Sequence, residues 1–578
     1  MRTQLFAEKK RIKENIKNDL FLQKQLEAIK ADADILMKEE TVSLSYDAFK
    51  TFYITGSRKE YERGYFCHRR RINHFAVLSA VYEDNSEYIR FLQDAVWAVL
   101  DEFAWSLPAH IPQGTEITEC ETWIDLFAAE TAFTLAEIAS MLSGRLDDVI
   151  IERIAREVRR RVIIPYLSGR KNSWDCLENN WSAVCAGSVG AAFLYLADDS
   201  EIKAAMPRLK NTLECYLKGF GNDGVCVEGL NYWIYGFGYF TYFAQLLCEY
   251  TDGGDNLFNN DKVKNIALFP QKIYFKNNNT VSFSDCGNKF IHRSGLTHFL
   301  KKRYDDIAVP NDDSALEFDG DSCYRFAHLI RDFAWRDSQI QMSGEEKECF
   351  EYFENAAWYI KKTRLYEFAA KAGVNNESHN HNDIASFLLN VSGCPVVTDP
   401  GRGEYTADYF SDKRYEYFAP SALAHSVPII NGKVQQAGGM YRGSIVKAEN
   451  NNLVINFENA YDDKNLKKLS RSFMFYEDKI VMSDKISFTG KPLGVTEHFV
   501  LDNRPVQSDR GLIMGNIQMC YDEGMFDCKI SEKTFAADYD KYKTVYIADL
   551  ECINPEKEME IVFEINVAKA SKEDKSYE

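Results

Sequence analysis

Leu453-Val454-Ile455-Asn456-Phe457 and Lys479-Ile480-Val481-Met482 are short apolar runs bounded by Asn, Asp and Glu, too short for globular helices. Thr544-Val545-Tyr546-Ile547 and Met559-Glu560-Ile561-Val562-Phe563 repeat the pattern. From about residue 352 onward such runs predict strands that pair as an antiparallel β-sandwich. Upstream the period is different. Segment 122–142 places Ile124, Phe127, Thr131, Leu135, Ile138 and Leu142 on one stripe at helical spacing. Helices also fit 6–39, 66–83, 85–104, 183–197 and 234–249. The glycines of 183–197 cost helix propensity, which close helix packing would offset. The chain therefore reads as an α+β multidomain protein: a helical domain over 1–345 and an antiparallel β-sandwich over 346–578. The boundary falls within 340–352, where Met342-Ser343-Gly344-Glu345-Glu346-Lys347-Glu348 is polar.

A length of 578 residues exceeds what one hydrophobic core holds, which agrees with two domains. The 69 basic and 87 acidic side chains leave a formal charge of -18. That charge argues against nucleic acid or an anionic membrane as the main partner, while a basic cleft for a polyanionic sugar stays compatible with it. The N-terminus has no apolar core of signal-peptide type and no apolar run reaches the length of a membrane span, so the expectation is a cytoplasmic protein. Fourteen cysteines are scattered without a CxxC pair, and they read as free thiols.

The richest chemistry lies in Glu377-Ser378-His379-Asn380-His381-Asn382-Asp383. On a strand, a spacing of two would set both imidazoles on one face, one for a metal and one for a substrate. A solvated polar turn is the plainer reading. Asp399 follows an apolar lead-in that predicts a strand delivering its carboxylate, and His425 lies further on. His381, Asp399 and His425 form a reasonable three-ligand set for zinc. Tyr405, Tyr409, Tyr415 and Tyr417 crowd around Arg402 and Arg414, either as packing or as a sugar-binding wall with cations for acidic groups.

In the helical half, Asn179-Asn180-Trp181 precedes the small-residue helix. Asn180 reads as an N-cap or as an amide donor to a substrate carboxylate. The run from Asp223 to Gly236 holds Glu228, Tyr232, Trp233 and Tyr235, either core aromatics or a sugar platform with a phenolic base. His110 closes Trp105-Ser106-Leu107-Pro108-Ala109 as a helix-end residue or a subsite contact.

Five stretches together resemble the heparinase II/III-like polysaccharide lyases: DEFAWSLPAH at 101–110, ENNWSAVCAGSVG at 178–190, DGVCVEGLNYWIYG at 223–236, KAGVNNESHNHNDIASF at 371–387, and TDPGRGEY with SALAHSVPIING. The resemblance implies an N-terminal (α/α) toroid followed by a C-terminal antiparallel β-sandwich, with the active site between them. It implies β-elimination on uronic-acid glycans such as heparin or heparan sulfate, chondroitin, hyaluronan or alginate. It places Asn180, His379 and one of Tyr232 and Tyr235 as catalytic. With Trp181 beside Asn180 in the family's Asn–aromatic pair, the residues read as substrate contacts are His110, Trp181, Glu228, Trp233, Arg402, Tyr405, Arg414, Tyr415 and Tyr417. Zinc would be held by His381, Asp399 and His425 in a structural role. Some relatives carry a histidine where Trp181 stands. The partner expected is an acidic poly- or oligosaccharide, with a homo-oligomer as an option. The competing readings are a glycoside hydrolase pairing Glu228 with Glu377 or Asp399, and a carbohydrate-binding protein without activity.

Overall fold

The computed structural model describes residues 1–342, 348–515, 517–538 and 541–567. Most of the polar boundary stretch, 343–347, lies outside the described residues. The chain divides into two compact units. One comprises Met1–Phe220, Tyr232–Leu268 and Ile291–Ser343, the other Gly221–Asn231, Phe269–Phe290 and Gly344–Glu578. Two segments of the helical half of the sequence thus belong to the second unit.

Apart from an isolated bridge between His292 and Ala315, the regular structure of the first unit is helical among its described residues. Its helices include Lys59–Val81, Ser86–Leu100, Leu126–Met141, Asn180–Leu196, Asp199–Lys218 and Leu230–Tyr250, the last beginning in the segment assigned to the other unit. Asp125 caps Leu126–Met141 by accepting from the Ala128 amide at 2.7 Å. The single helix expected over 6–39 is instead broken at Asp19. Its extended backbone starts the helix Leu20–Leu36, and its carboxylate takes both the Leu22 amide and the Arg336 guanidinium.

The glycines of Asn180–Leu196 have a packing reason. A Cβ on Gly187 would lie 2.7 Å from the Tyr239 carbonyl oxygen, so the Asn180–Leu196 and Leu230–Tyr250 backbones approach closely there. Gly187→Ala gains at most about 1 kcal/mol of helix propensity. It is expected to lose about 1–3 kcal/mol to overpacking against backbone that cannot rotate away. The net result is a lower urea midpoint, and an unchanged or raised midpoint would show that the helices separate freely.

Among its described residues the second unit holds the small two-stranded sheet of Tyr274–Phe275 and Asn279–Thr280 and two nine-stranded antiparallel sheets. One contains Asn452–Asn456, Leu466–Phe475, Lys479–Phe488 and Glu558–Val567 as neighbours. The other contains Tyr366–Lys371, Phe387–Val391, Cys394–Val397 and Val495–Leu501. The alternation that announces the strands is visible in the burial. Leu453 and Ile455 are fully buried, while Val454 and Asn456 are half-exposed. Register then lines up Leu453, Phe473, Met482 and Phe563 across four strands as one inward row. From the facing sheet, Phe368 and Phe387 meet Phe473 at ring separations of 4.8 and 5.2 Å, and Phe499 meets Phe563 at 5.2 Å. None of the fourteen cysteines is in a disulfide. Among the described residues no helix is long and apolar enough to cross a membrane.

Candidate active site and metal centre

The His379–Asp383 motif is not on a strand, which corrects the strand expectation. It forms turns and loop between the strands Gly373–Asn375 and Phe387–Val391. His379 takes a left-handed conformation with φ 57°, uncommon for a residue with a side chain. Both imidazoles nevertheless meet one carboxylate, that of Asp285. His379 Nδ1 lies 2.8 Å from Asp285 Oδ2, and His381 Nε2 lies 3.0 Å from Oδ1. Tyr405 and Tyr409 donate hydroxyls to the same group at 3.1 and 2.7 Å, and Arg414 donates at 3.0 Å. Burial pushes the Asp285 carboxyl up, but the two histidine hydrogen bonds and the Arg414 charge outweigh it and hold it well below the usual carboxylate range.

A carboxylate only accepts, so each ring nitrogen facing it carries the proton. His379 therefore presents Nε2 on its other side, 3.7 Å from Glu228 Oε2. Its side chain is 14% exposed, whereas those of His381 and Asp285 are fully buried. Glu228 also accepts from Ser378 Oγ at 3.3 Å. It reaches this position because Gly229 takes φ 97° tight against Cys286, where a Cβ would lie 2.6 Å from the Cys286 Cβ.

His381 donates Nε2–H to Asp285, which leaves its Nδ1 lone pair on the opposite edge. His425 makes the corresponding choice, with Nε2–H given to the Ala419 carbonyl at 3.1 Å. His425 Nδ1 lies 3.2 Å from Asp399 Oδ2, and the two imidazole centroids are 5.1 Å apart. One potential ligand atom from each of His381, Asp399 and His425 lies within 4.8 Å of the others. Both Nδ1 atoms are buried without a hydrogen-bond partner. Asp399 follows the strand Cys394–Val397, and its other oxygen accepts the Gly401 amide at 2.8 Å. Two imidazole Nδ1 atoms and a carboxylate oxygen, each ligand oriented by a second group, make a set able to hold a divalent metal, which would displace the proton that His425 Nδ1 otherwise shares with Asp399.

The loops are tied from below by Arg471, buried in the sandwich. It donates to the carbonyls of Ala385 and Ser426 at 3.1 and 2.7 Å and pairs with Asp484 and Glu497. Beside the motif, Lys371 lies 2.9 Å from Asp383 and 3.9 Å from Glu377. Burial raises the Glu377 carboxyl to about 7 against the pull of Lys371.

The Tyr/Arg segment divides by role. Arg414 is committed to Asp285 and the Asn380 carbonyl, with its guanidinium 4.4 Å over the Tyr409 ring, so it supports the site rather than clamping a sugar. Arg402 pairs with Asp538 at 3.1 Å and lies 4.7 Å over the Tyr405 ring, with 38% of its side chain exposed. Tyr405 stacks on His379 at 6.3 Å. Tyr415 accepts from the Asn380 amide at 3.3 Å, and Tyr417 bonds Thr406 at 2.8 Å.

In the helical unit the cap is Asn179, whose side chain accepts from the Trp181 amide at 3.1 Å. Asn180 is the first helical residue and is buried. A Cβ on Gly236 would lie 3.2 Å from Asn180 Cα and Cβ, so Asn180 packs on the early turns of Leu230–Tyr250. Trp181 meets His110 edge-on at 4.9 Å, and His110 is held by Asp125 at 2.7 Å. Tyr235 donates its hydroxyl to Glu130, beneath the Arg325 guanidinium at 4.1 Å. Burial and the Glu130 charge push the Tyr235 phenol well above its usual value, and burial raises Glu130 to about 7. Tyr232 is half-buried. Trp233 is buried, with its indole donating to the Ile266 carbonyl at 2.7 Å, which makes it packing rather than a sugar platform.

Residues 345–500 match the family model of the heparinase II/III-like C-terminal domain. That stretch is similar to a heparinase II/III-like domain. It contains His379, His381, Asp399 and His425 together with the Tyr/Arg segment. Solved structures extend the likeness to the whole fold, an (α/α) toroid followed by antiparallel sheets. A mutant heparan sulfate lyase HepC from Pedobacter heparinus aligns with TM-score 0.59 and 14% identity, over 94% of this chain and 82% of that one. A heparinase III aligns with TM-score 0.61 and 13% identity, over 97% and 91%. A mutant chondroitin AC lyase from Streptomyces coelicolor A3 aligns with TM-score 0.53 and 11% identity, over 99% and 81%. At these identities the likeness is one of fold. No curated protein matches the sequence.

Sequence reasoning missed Asp285, which lies outside the heparinase II/III-like domain match, in a segment read as helical. The signal was present as Val281-Ser282-Phe283-Ser284-Asp285, an alternating run after the Asn277-Asn278-Asn279 turn. Asp125, which holds His110, caps the helix Leu126–Met141, and Glu130, which holds Tyr235, lies on it beside the stripe that marks its buried face.

Proposed function

We propose that the protein is a polysaccharide or oligosaccharide lyase that cleaves uronic-acid glycans by β-elimination. The observation that carries this reading is the His379 imidazole. It is anchored through Nδ1, partly open to solvent, and turns Nε2 toward Glu228 within a heparinase II/III-like domain. That the structures aligned above bear the names of heparin, heparan sulfate and chondroitin lyases supports the same class.

Elimination removes the C5 proton of a uronic acid and breaks the bond from C4 to the glycosidic oxygen. The C5 proton is very weakly acidic while the neighbouring carboxylate is charged, so donors must stabilise the enediolate-like charge first. Asn180 supplies an amide for that purpose, and His379 a hydrogen bond. Tyr232 abstracts the C5 proton or returns one to the C4 oxygen, with His379 as the base for the opposite C5 configuration. Tyr232 is preferred to Tyr235 because the Tyr235 hydroxyl is given to Glu130, and burial with the Glu130 charge pushes its phenol well above the usual value. His110 and Trp181 line the sugar in the helical unit, and Arg402, Tyr405, Tyr415 and Tyr417 in the other. His381, Asp399 and His425 fit zinc, which when bound would supply a fixed charge fastening three loops. No step is assigned to it.

The glycosidase alternative needs an acid and base pair. Glu377 is turned to Lys371 and Asp399 to His425, so neither partner for Glu228 is favoured.

Heparan sulfate, chondroitin, hyaluronan and alginate, as polymers and oligomers, test the class through the ultraviolet absorbance of unsaturated product. No absorbing product from any of them would reject the reading. Tyr232→Phe is expected to lower kcat by about 10²–10⁴. Tyr235→Phe is expected to keep kcat within about tenfold and lose about 1 kcal/mol of stability. The reverse pattern would exchange the two roles.

A further inference from the structure

We propose that Asp285 is a positioning residue that couples the His381–Asp399–His425 metal site to the His379 imidazole. The inference rests on the lyase reading only for what His379 does once positioned. Its two oxygens serve the two sides separately. Oδ1 takes His381 Nε2–H and the Tyr409 hydroxyl, and Oδ2 takes His379 Nδ1–H, the Tyr405 hydroxyl and Arg414. The Asp285 side chain is fully buried, so water does not compete for either oxygen. The carboxylate plane is rigid, and the orientation of one imidazole fixes where the acceptor for the other lies.

The same carboxylate sets both tautomers. On His381 it holds the proton at Nε2, which keeps the Nδ1 lone pair toward Asp399 and His425. On His379 it holds the proton at Nδ1, which keeps Nε2 on the edge that faces Glu228. A metal bound at His381 Nδ1 makes that ring a stronger donor through Nε2, which tightens its bond to Asp285. The acceptor position for His379 is then fixed in turn. Metal occupancy thus controls the orientation of an imidazole that is not itself a ligand.

An amide at this position forces a choice, because it offers one acceptor where the carboxylate offers two. If the amide nitrogen faces His381, that ring must move its proton to Nδ1, where it blocks metal binding. If it faces His379, that ring must move its proton to Nε2. Either choice strains the other partner, because Tyr405, Tyr409 and Arg414 also need acceptors.

The test is Asp285→Asn in the full chain. Zinc affinity is measured by competition with a chromophoric chelator, and turnover on whichever uronide the panel identifies. We expect zinc to bind about 10–100-fold more weakly. We also expect kcat at saturating zinc to fall at least tenfold with KM within about threefold. Unchanged zinc affinity in folded Asp285→Asn overturns the coupling whatever the activity, and so does weakened zinc binding with wild-type kcat. A second measurement needs no variant. Long-range proton–nitrogen spectra of histidine-labelled wild-type protein should show His379 protonated at Nδ1 and His381 protonated at Nε2, with zinc perturbing His381 Nδ1. An unprotonated His379 Nδ1 overturns the proposal. If the wild-type protein eliminates none of the uronides, the lyase reading fails, while zinc affinity and tautomers still decide the role of Asp285.

Discussion

His379→Ala is expected to abolish elimination, with kcat lowered by about 10²–10⁴ and KM changed only a few-fold. The size follows from what the ring does. Its Nδ1 is fixed by Asp285, its face stacks on Tyr405, and its Nε2 edge meets Glu228. Among the described residues no neighbour supplies a second imidazole there: His381 gives Nε2 to Asp285, His425 sets Nδ1 against Asp399, and both are fully buried. The stability cost should be small by comparison, because the side chain is partly open. Zinc affinity should stay within a few-fold of wild type, since the three candidate ligands remain. Full activity of His379→Ala on every cleaved uronide would remove His379 from the chemistry.

Arg471→Ala is expected to destabilise the sandwich unit by about 3–5 kcal/mol, the largest stability effect anticipated. Arg471 is fully buried and faces two carboxylates that are also fully buried, Asp484 and Glu497. Burial and the Asp484 charge push Glu497 well above the usual carboxylate range, and Arg471 opposes that shift. Without the guanidinium, two acids share an interior without a counter-charge. The Ala385 and Ser426 carbonyls lose their donor as well. Those carbonyls belong to the loops that carry the His379–Asp383 motif and His425, so zinc affinity should fall with stability. Arg471→Lys keeps the charge and loses the planar fork, so it should fall between wild type and alanine. A urea midpoint unchanged in Arg471→Ala would show that the three-residue cluster contributes nothing.

The division into a helical and a sheet half was legible because burial imposes its own period on each. The stripe over 122–142 and the alternation over 453–457 both mark faces that must be hidden. Helix breaks were less legible. Asp19 interrupts a run with good helix propensity because its carboxylate pairs with Arg336, a partner more than three hundred residues away in sequence. Local pattern holds no trace of such a contact. The grouping of His381, Asp399 and His425 was legible as a set of residue types, since imidazoles and carboxylates are among the few side chains able to ligate a metal. The strand expected for the His379 motif failed because both side chains reach Asp285 from a loop, using different ring atoms. Asp285 itself stood in a segment assigned by neighbourhood to the helical half, and its importance comes from five donors scattered from 379 to 414. Arg414 and Trp233 were read by residue type as sugar contacts. Their partners, Asp285 with the Asn380 carbonyl for one and the Ile266 carbonyl for the other, decide against that role.

The most direct measurement is digestion of the uronide panel in heavy-oxygen water, with the products read by mass spectrometry and ultraviolet absorbance. Elimination predicts a C4–C5 double bond at each new non-reducing end and no solvent oxygen in either fragment. Saturated fragments carrying one heavy oxygen for each bond cleaved would show hydrolysis and contradict the account.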